Sequence, residues 1–279
     1  MTTSLQCSVC TGPAFVEYKL EDLTLCRCRD CGHCFTDLES LDCLEQYKPD
    51  YFEEEHRNWF LHPDLALYGK LSRIIREHSP SASILDVGCG NGNFLRYLQY
   101  SGNGLCLTGI DMARNEQVPG IRYLQGDFFD ARFDGQFDAV VNLAVIEHVP
   151  DVIAFTKRLH DLCVPGGLVI TMTVDERSII YAVSRTLNRT GYSRPLKRLY
   201  SKHHLNHFTG SSLKRLLERN GLDTIQVIRH NAPMAAVDIP ETSALSSVIL
   251  RTGVWVGFQL GQLTQRTMLQ TIVSRKTAS

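Results

Sequence analysis

What the chain lacks narrows its function before any motif is read. It lacks net charge: 29 basic residues stand against 30 acidic ones in 279, a formal charge of −1. No global field would therefore gather nucleic acid around it. It lacks an unbroken apolar run of membrane-spanning length. Residues 245–263 come nearest, but Arg251, Ser246, Ser247, Gln259, Gln262 and three glycines interrupt them, so no span is expected. The opening Met1-Thr2-Thr3-Ser4-Leu5-Gln6 has neither a basic n-region nor an apolar h-region. No signal peptide is expected, and the setting expected is the cytoplasm.

Cysteine is plentiful but unevenly placed. Of ten, six (Cys7, Cys10, Cys26, Cys28, Cys31, Cys34) crowd into residues 7–34, while Cys43, Cys89, Cys106 and Cys163 are scattered. That fits one metal site in a reducing compartment better than a disulfide framework. Cys7-x-x-Cys10 and Cys28-x-x-Cys31 are two knuckles able to close a tetrahedral thiolate site around zinc. Cys31-x-x-Cys34 is an alternative second knuckle; Gly32, directly after Cys31, favours the first choice. Four thiolates leave no open position for a catalytic water, so the zinc expected here is structural. A redox thiol cluster is the rival reading. Residues 1–40 are thus expected to form a small zinc ribbon whose folding depends on the metal.

The strongest single stretch is Ser83-Ile84-Leu85-Asp86-Val87-Gly88-Cys89-Gly90-Asn91-Gly92-Asn93-Phe94-Leu95. A short apolar run ends in three alternate glycines, and Phe94, Leu95 and Leu98 then recur at helical spacing. The pattern predicts a buried strand, a tight turn and a helix. Glycines let a ligand approach the backbone closely, and the N–H groups opening the helix favour an anionic or polar group there. The dinucleotide fingerprint G-x-G-x-x-G is not met, since its last position is Asn93. Leu85 to Gly92 instead resembles the first motif of the class I S-adenosylmethionine (SAM) dependent methyltransferases.

The resemblance implies a Rossmann-like α/β fold, a seven-stranded doubly wound sheet with an antiparallel last strand. Strand and helix alternate from Ser83 onward, which suits such a sheet. It also implies that the turn (Asp86, Gly88, Cys89, Gly90, Gly92) holds the methionine end of SAM. Asp111 closes the second strand, where a carboxylate can accept both ribose hydroxyls; an N-cap role is compatible. Met112 follows it in the cofactor set. Asp127 would accept the adenine amino group, with Phe128 beside the ring. Residues 137–143 are the fourth strand and bring Asn142 and then Glu147-His148-Val149. That triplet resembles small-molecule enzymes such as the ubiquinone-biosynthesis and sugar O-methyltransferases. The Asn/Asp-Pro-Pro-aromatic cradle of amino-methylating DNA enzymes is missing. Glu147 would touch SAM or brace its loop. Pro165-Gly166-Gly167 matches the family's turn before a fifth strand at residues 168–174.

Residues 41–82 form a connector and a leading helix, with Tyr47 and Tyr51 as either cofactor contacts or packing aromatics. Residues 83–279 make the SAM domain, with a substrate lid around 177–210. Between Glu176 and Glu218 there is no acidic residue, whereas Arg177, Arg185, Arg189, Arg194, Lys197 and Arg198 all fall there. This is either a solvated basic helix or a site for an anionic acceptor. An acceptor hydroxyl needs a base near neutral pH; His148 suits, with His204 and His207 as competitors. The expected activity is methyl transfer from SAM to a small anionic metabolite, on oxygen. Alternatives are an RNA methyltransferase using the ribbon, or a non-catalytic scaffold. Residues 245–263 suit a lid helix, a dimer contact or a peripheral membrane contact.

Overall fold

A computed structural model describes residues 5–41, 57–238 and 244–277. Tyr47 and Tyr51 fall outside the described residues. Strand β4 (Ser83–Val87) is buried on both faces and lies mid-sheet, flanked by β5 (Cys106–Asp111) and β7 (Phe137–Leu143). Its Ile84, Leu85 and Val87 are the continuous apolar run that a parallel strand covered on two sides requires. With β6 (Ile121–Gln125), β8 (Cys163–Val174), β10 (Leu222–His230) and β11 (Leu269–Lys276) it makes a seven-stranded sheet. The order is β10-β11-β8-β7-β4-β5-β6, with β11 antiparallel to both neighbours. The chain builds outward from β4 to β6, then returns to β7 on the other side of β4, so the order of strand addition reverses between the parallel strands β4 and β7. The carboxyl ends of those two strands are where a sheet of this strand order places its ligand.

Helices follow their sequence cues. α1 (Arg57–Leu61) precedes α2 (Leu65–His78), whose N-cap Asp64 accepts the Leu67 amide at 2.9 Å. α3 (Asn93–Tyr100) buries Phe94, Leu95 and Leu98, as its spacing predicted. α4 (Val152–Leu162) is capped by Asp151. After β8 come α5 (Ile179–Arg189) and α6 (Arg194–Leu199), then α7 (Gly210–Arg219). α7 opens on a capping box of Thr209 and Ser212. α8 (Ala244–Thr264) links β10 to β11 at the carboxyl end of the sheet. β8 also begins earlier than residue 168. Phe137 pairs with Cys163 and Ala139 with Leu168, so residues 164–167 bulge out of a strand already begun, with Gly166 at φ +78°.

The cysteine-rich module is a sheet in its own right, β1 (Ala14–Lys19), β2 (Thr24–Cys28) and β3 (Cys34–Thr36). Its fourth strand is β9 (Asn206–His207), donated by the lid region. Cys7, Val9, Cys28 and Phe35 share one apolar cluster with Leu85, Phe155 and Phe208. The ribbon is therefore packed into the α/β body and does not stand apart from it.

Candidate functional site

The glycine turn is locked from two sides. Gly88, Gly90 and Gly92 have φ of +66°, +54° and +78°, a region that side chains other than glycine's resist. Space forbids a Cβ as well: at Gly88 it would lie 2.5 Å from Val145, at Gly90 it would strike Phe60 and at Gly92 Tyr123. The Gly88 and Cys89 amides donate to the Ile110 carbonyl, which ties the turn to β5. The Gly90 amide donates to Asp111 Oδ2 at 2.8 Å, and Ala113 donates to Oδ1 at 2.9 Å. Each carboxylate oxygen keeps a lone pair for a further donor.

Asp86 is 2% exposed and Asp111 6%. Burial raises both carboxyls above the usual range, and the Asp111 charge raises Asp86 further. Backbone amides of Ala113, Gly90 and Met112 partly offset the effect at Asp111. Among the described residues neither acid has a basic ion-pair partner. Cys89 is buried under the turn, with its sulfur 3.6 Å from Asn115 Nδ2, and Met112 is half exposed at the end of β5.

Beyond β6, Asp127 is exposed and its Oδ1 accepts the Phe129 amide at 2.8 Å. Phe128 points inward, against Phe133 and Phe155 and under the Arg158 guanidinium at 5.1 Å. The ring left exposed beside Asp127 is Phe129. Asn142 is fully buried between β7 and β8, donating to Ile170 O and Thr171 Oγ1, while its own Oδ1 has no partner.

The segment after β7 turns through a short 3-10 helix, Ile146–His148. Glu147 is enclosed, accepts the Thr173 hydroxyl at 2.8 Å, and burial pushes its carboxyl up to about 7. His148 is half-buried, with Nδ1 2.8 Å from the His203 carbonyl. A carbonyl only accepts, so Nδ1 carries the proton and the neutral ring keeps its lone pair on Nε2. His204 packs edge-on to it, centroids 4.8 Å apart.

His207 is a different case, and its candidacy as a base fails on position. It lies in β9 against Cys34, fully buried, between Tyr200 at 4.5 Å and Tyr181 at 6.2 Å. Burial pushes it down to about 3, so it stays neutral inside the ribbon interface.

Cys7, Cys10, Cys28 and Cys31 hold their sulfurs within 4.8 Å of one another. Cys7 and Cys31 are 3.6 Å apart, Cys10 and Cys28 3.4 Å. The amides of Val9, Asp30 and Cys31 point at sulfur, the environment a thiolate needs. Cys34 is buried in β3 and outside the group.

The lid cations are partly engaged within the chain. Glu176, 2% exposed, takes Arg27 at 2.7 Å, Arg185 and the Tyr200 hydroxyl. Lys197 meets Glu21 at 2.6 Å, and Arg198 donates to the Asp238 carbonyl. Sequence reasoning missed Phe60, Tyr123 and Glu176. Phe60 lies in a short helix with no strong periodicity, and Glu176 only acquires its partners through folding.

A family model described as "Methyltransferase domain" matches residues 56–227, well over half of the chain. The chain belongs to the class I SAM-dependent methyltransferase family. Among curated proteins it is 32% identical over 111 residues to a ubiquinone biosynthesis O-methyltransferase of Pseudomonas paraeruginosa, covering 36% of this chain and 47% of that one. A protein of the same name from Ruegeria pomeroyi is 31% identical over 130 residues, 42% and 51% of the two chains. The methyltransferase chain thus spans about half the length of the curated relatives it matches. Two solved structures share its fold. One is the Burkholderia thailandensis 1,6-didemethyltoxoflavin-N1-methyltransferase with S-adenosylhomocysteine, at TM-score 0.51, 15% identity, 92% of this chain and 99% of that one. The other is Haemonchus contortus phosphoethanolamine N-methyltransferase 2 with SAM, at 0.53, 14%, 88% and 62%.

Proposed function

We propose that this methyltransferase moves the SAM methyl group to a hydroxyl oxygen of a small molecule, with His148 as the base. The residues fit SAM. A glycine cradle with no room for Cβ admits close approach, and two buried acids without a cation suit a ligand bearing a sulfonium and an ammonium. Asp86, Gly88, Cys89, Gly90 and Gly92 would hold the methionine end. Asp111 with Met112 would hold the ribose, and Asp127 the adenine, with Phe128 or its exposed neighbour Phe129 at the ring. Asn142 and Glu147 would close the floor of the site. Bound there, SAM supplies a methyl already activated by positive sulfur. What remains for the protein is alignment and removal of one proton.

The observation that supports the base assignment is the Nδ1–H bond from His148 to the His203 carbonyl. It leaves Nε2 as the basic nitrogen, just past the carboxyl end of β7, where the strand order reverses. Oxygen as acceptor atom is supported by the Glu147-His148-Val149 triplet and by the likeness to ubiquinone biosynthesis O-methyltransferases. An anionic acceptor now rests on Arg189 and Arg194, exposed lid cations with no ion pair among the described residues. The thiol group fits a structural zinc, for which four sulfurs at these separations are a complete ligand set.

The test is His148→Ala, assayed once an acceptor is in hand. Its kcat should fall by about 10²–10⁴ with SAM affinity unchanged. Undiminished kcat would move the base to His204.

A further inference from the structure

The turn that carries His148 is fastened to the cysteine-rich module by one short stretch of chain, residues 203–206. Toward the turn, the His203 carbonyl accepts His148 Nδ1–H at 2.8 Å, and the Leu205 amide donates to the Glu147 carbonyl at 2.8 Å. Toward the module, the Leu205 carbonyl accepts the Thr36 amide at 2.9 Å, and Asn206 pairs with Phe35 where β9 meets β3. β3 itself starts three residues past Cys31. Between them, the His33 carbonyl accepts the Cys28 amide at 2.9 Å.

Asn206 also joins the two sides through its own side chain. It is 3% exposed, so its amide must find its partners inside the protein. Its Nδ2 donates to the Val149 carbonyl at 2.8 Å, one residue past His148. A carbonyl only accepts, which fixes the orientation of the amide and turns Oδ1 toward His33. His33 Nε2 lies 3.2 Å from that oxygen, so His33 is the donor. The His33 ring is fully buried, packed against Phe35 and Phe208 with centroids 5.8 and 4.6 Å away. A buried polar side chain satisfied at both ends rigidifies what it joins. Here it joins the module, just past Cys31, to the turn that bears the base.

We propose, resting on the reading of His148 as base, that the cysteine-rich module belongs to the catalytic apparatus. Through His33 and Asn206 it holds the 147–149 turn, so that His148 keeps Nδ1–H on the His203 carbonyl and presents Nε2 to the acceptor. Asn206 and His33 are positioning residues: neither touches substrate, and both act through His148. The tautomer of a histidine is set by the hydrogen bond of its other nitrogen, so a loosened turn frees the ring to carry its proton on Nε2, where it cannot act as a base.

The experiment reads the His148 ring directly and needs no acceptor. The full chain, isotope-labelled at its histidine ring nitrogens, is observed by NMR at pH about 9, where imidazole is neutral. The signals missing from His148→Ala are those of His148. Wild type should show the Nδ1–H tautomer there. Asn206→Ala should lower the ratio of Nδ1–H to Nε2–H about fivefold, the effect of one buried hydrogen bond. His33→Phe, which keeps a ring against Phe35 and Phe208 but removes the donor to Asn206, should do the same from the module's side. SAM affinity by calorimetry should be unchanged in both. With an acceptor in hand, both should lose kcat by about tenfold or more, the cost of a misplaced group, and keep their KM for SAM. The proposal is overturned if either variant leaves the ratio unaltered, or if wild type carries its proton on Nε2. It is equally overturned if SAM affinity is lost together with the tautomer, since the module would then support the whole fold and not the base. Failure of the base reading shows separately, as full kcat in His148→Ala while the tautomer ratios still shift.

Discussion

Glu176 and Asp86 are equally withdrawn from water, each 2% exposed, and the fold treats them in opposite ways. Glu176, at the seam between ribbon and lid, is surrounded by Arg27, Arg185 and the Tyr200 hydroxyl. Its charge is answered from within the chain. Asp86, under the glycine turn, faces another acid, Asp111, and no cation. Taking a carboxylate out of water is costly unless it is paired. The first region pairs its acid and gains a rigid joint. The second leaves two acids uncompensated, an arrangement that makes sense where a positively charged ligand completes the site.

The sharpest way to break the comparison is to remove the zinc proposed for the ribbon side of the joint. Zinc ligation is worth about 10–16 kcal/mol in small thiolate folds. Chelation, or Cys28→Ser, should abolish zinc binding by elemental analysis and expose the amides of β1 to β3 to hydrogen exchange. Cys34→Ser should keep its zinc, because Cys34 lies outside the sulfur group. Next in size is Glu176→Ala. It strands two arginines in the seam and should cost about 3–5 kcal/mol of stability by denaturant titration. SAM affinity should hardly change. Asp111→Ala should do the reverse. Calorimetry should show SAM binding weakened by about 1.5–3 kcal/mol, the loss of a charged acceptor for the ribose. Stability should fall by less than in Glu176→Ala, since the variant also removes an acid–acid repulsion. Equal effects of the two variants on both readouts would erase the distinction.

The two regions also differ in how far sequence could anticipate them. The glycine turn is a run of neighbours along the chain, so its strand, turn and helix were legible from spacing and φ requirements. The grouping of Cys7, Cys10, Cys28 and Cys31 was legible for the same reason. The seam was not. Arg27 meets Glu176, and His33 meets Asn206 at 3.2 Å, across stretches that no local pattern links. The acid-free run therefore read as free charge, although Arg185 and Lys197 had partners waiting elsewhere. His207 looked like a base among histidines, yet its strand pairing with Cys34 is a tertiary fact. Phe128 and Phe129 show the limit at one residue's scale. Either could flank a ring, both touch Phe155, and only burial in the fold shows that Phe128 faces inward and Phe129 outward.

The smallest expected effect concerns pH, and it again sets seam against cleft. His207 titrates near 3 in the fold and near 6.5 in the unfolded chain. Burial is the main cause; His33, Arg27 and His148 also oppose its protonation, while the His204 backbone favours it. Between those values the unfolded state binds the extra proton, so His207 makes the protein lose stability as pH falls below about 6.5. Glu147 acts the other way. Burial lifts it from 4.5 to about 7, with Thr173 opposing, so the folded state binds the extra proton. Its contribution is present at low pH and is lost as pH rises through that window. From about 4.5 to 6.5 the two proton counts cancel. Removing either group should uncover the other, with slopes of opposite sign relative to wild type, each up to about 1.4 kcal/mol per pH unit. His207→Phe, which keeps a ring between Tyr181 and Tyr200, should lose stability relative to wild type as pH rises. Glu147→Gln should lose it as pH falls. Urea midpoints across that range decide the matter. If both variants run parallel to wild type, the two groups are not held in the opposite protonation states that their burial implies.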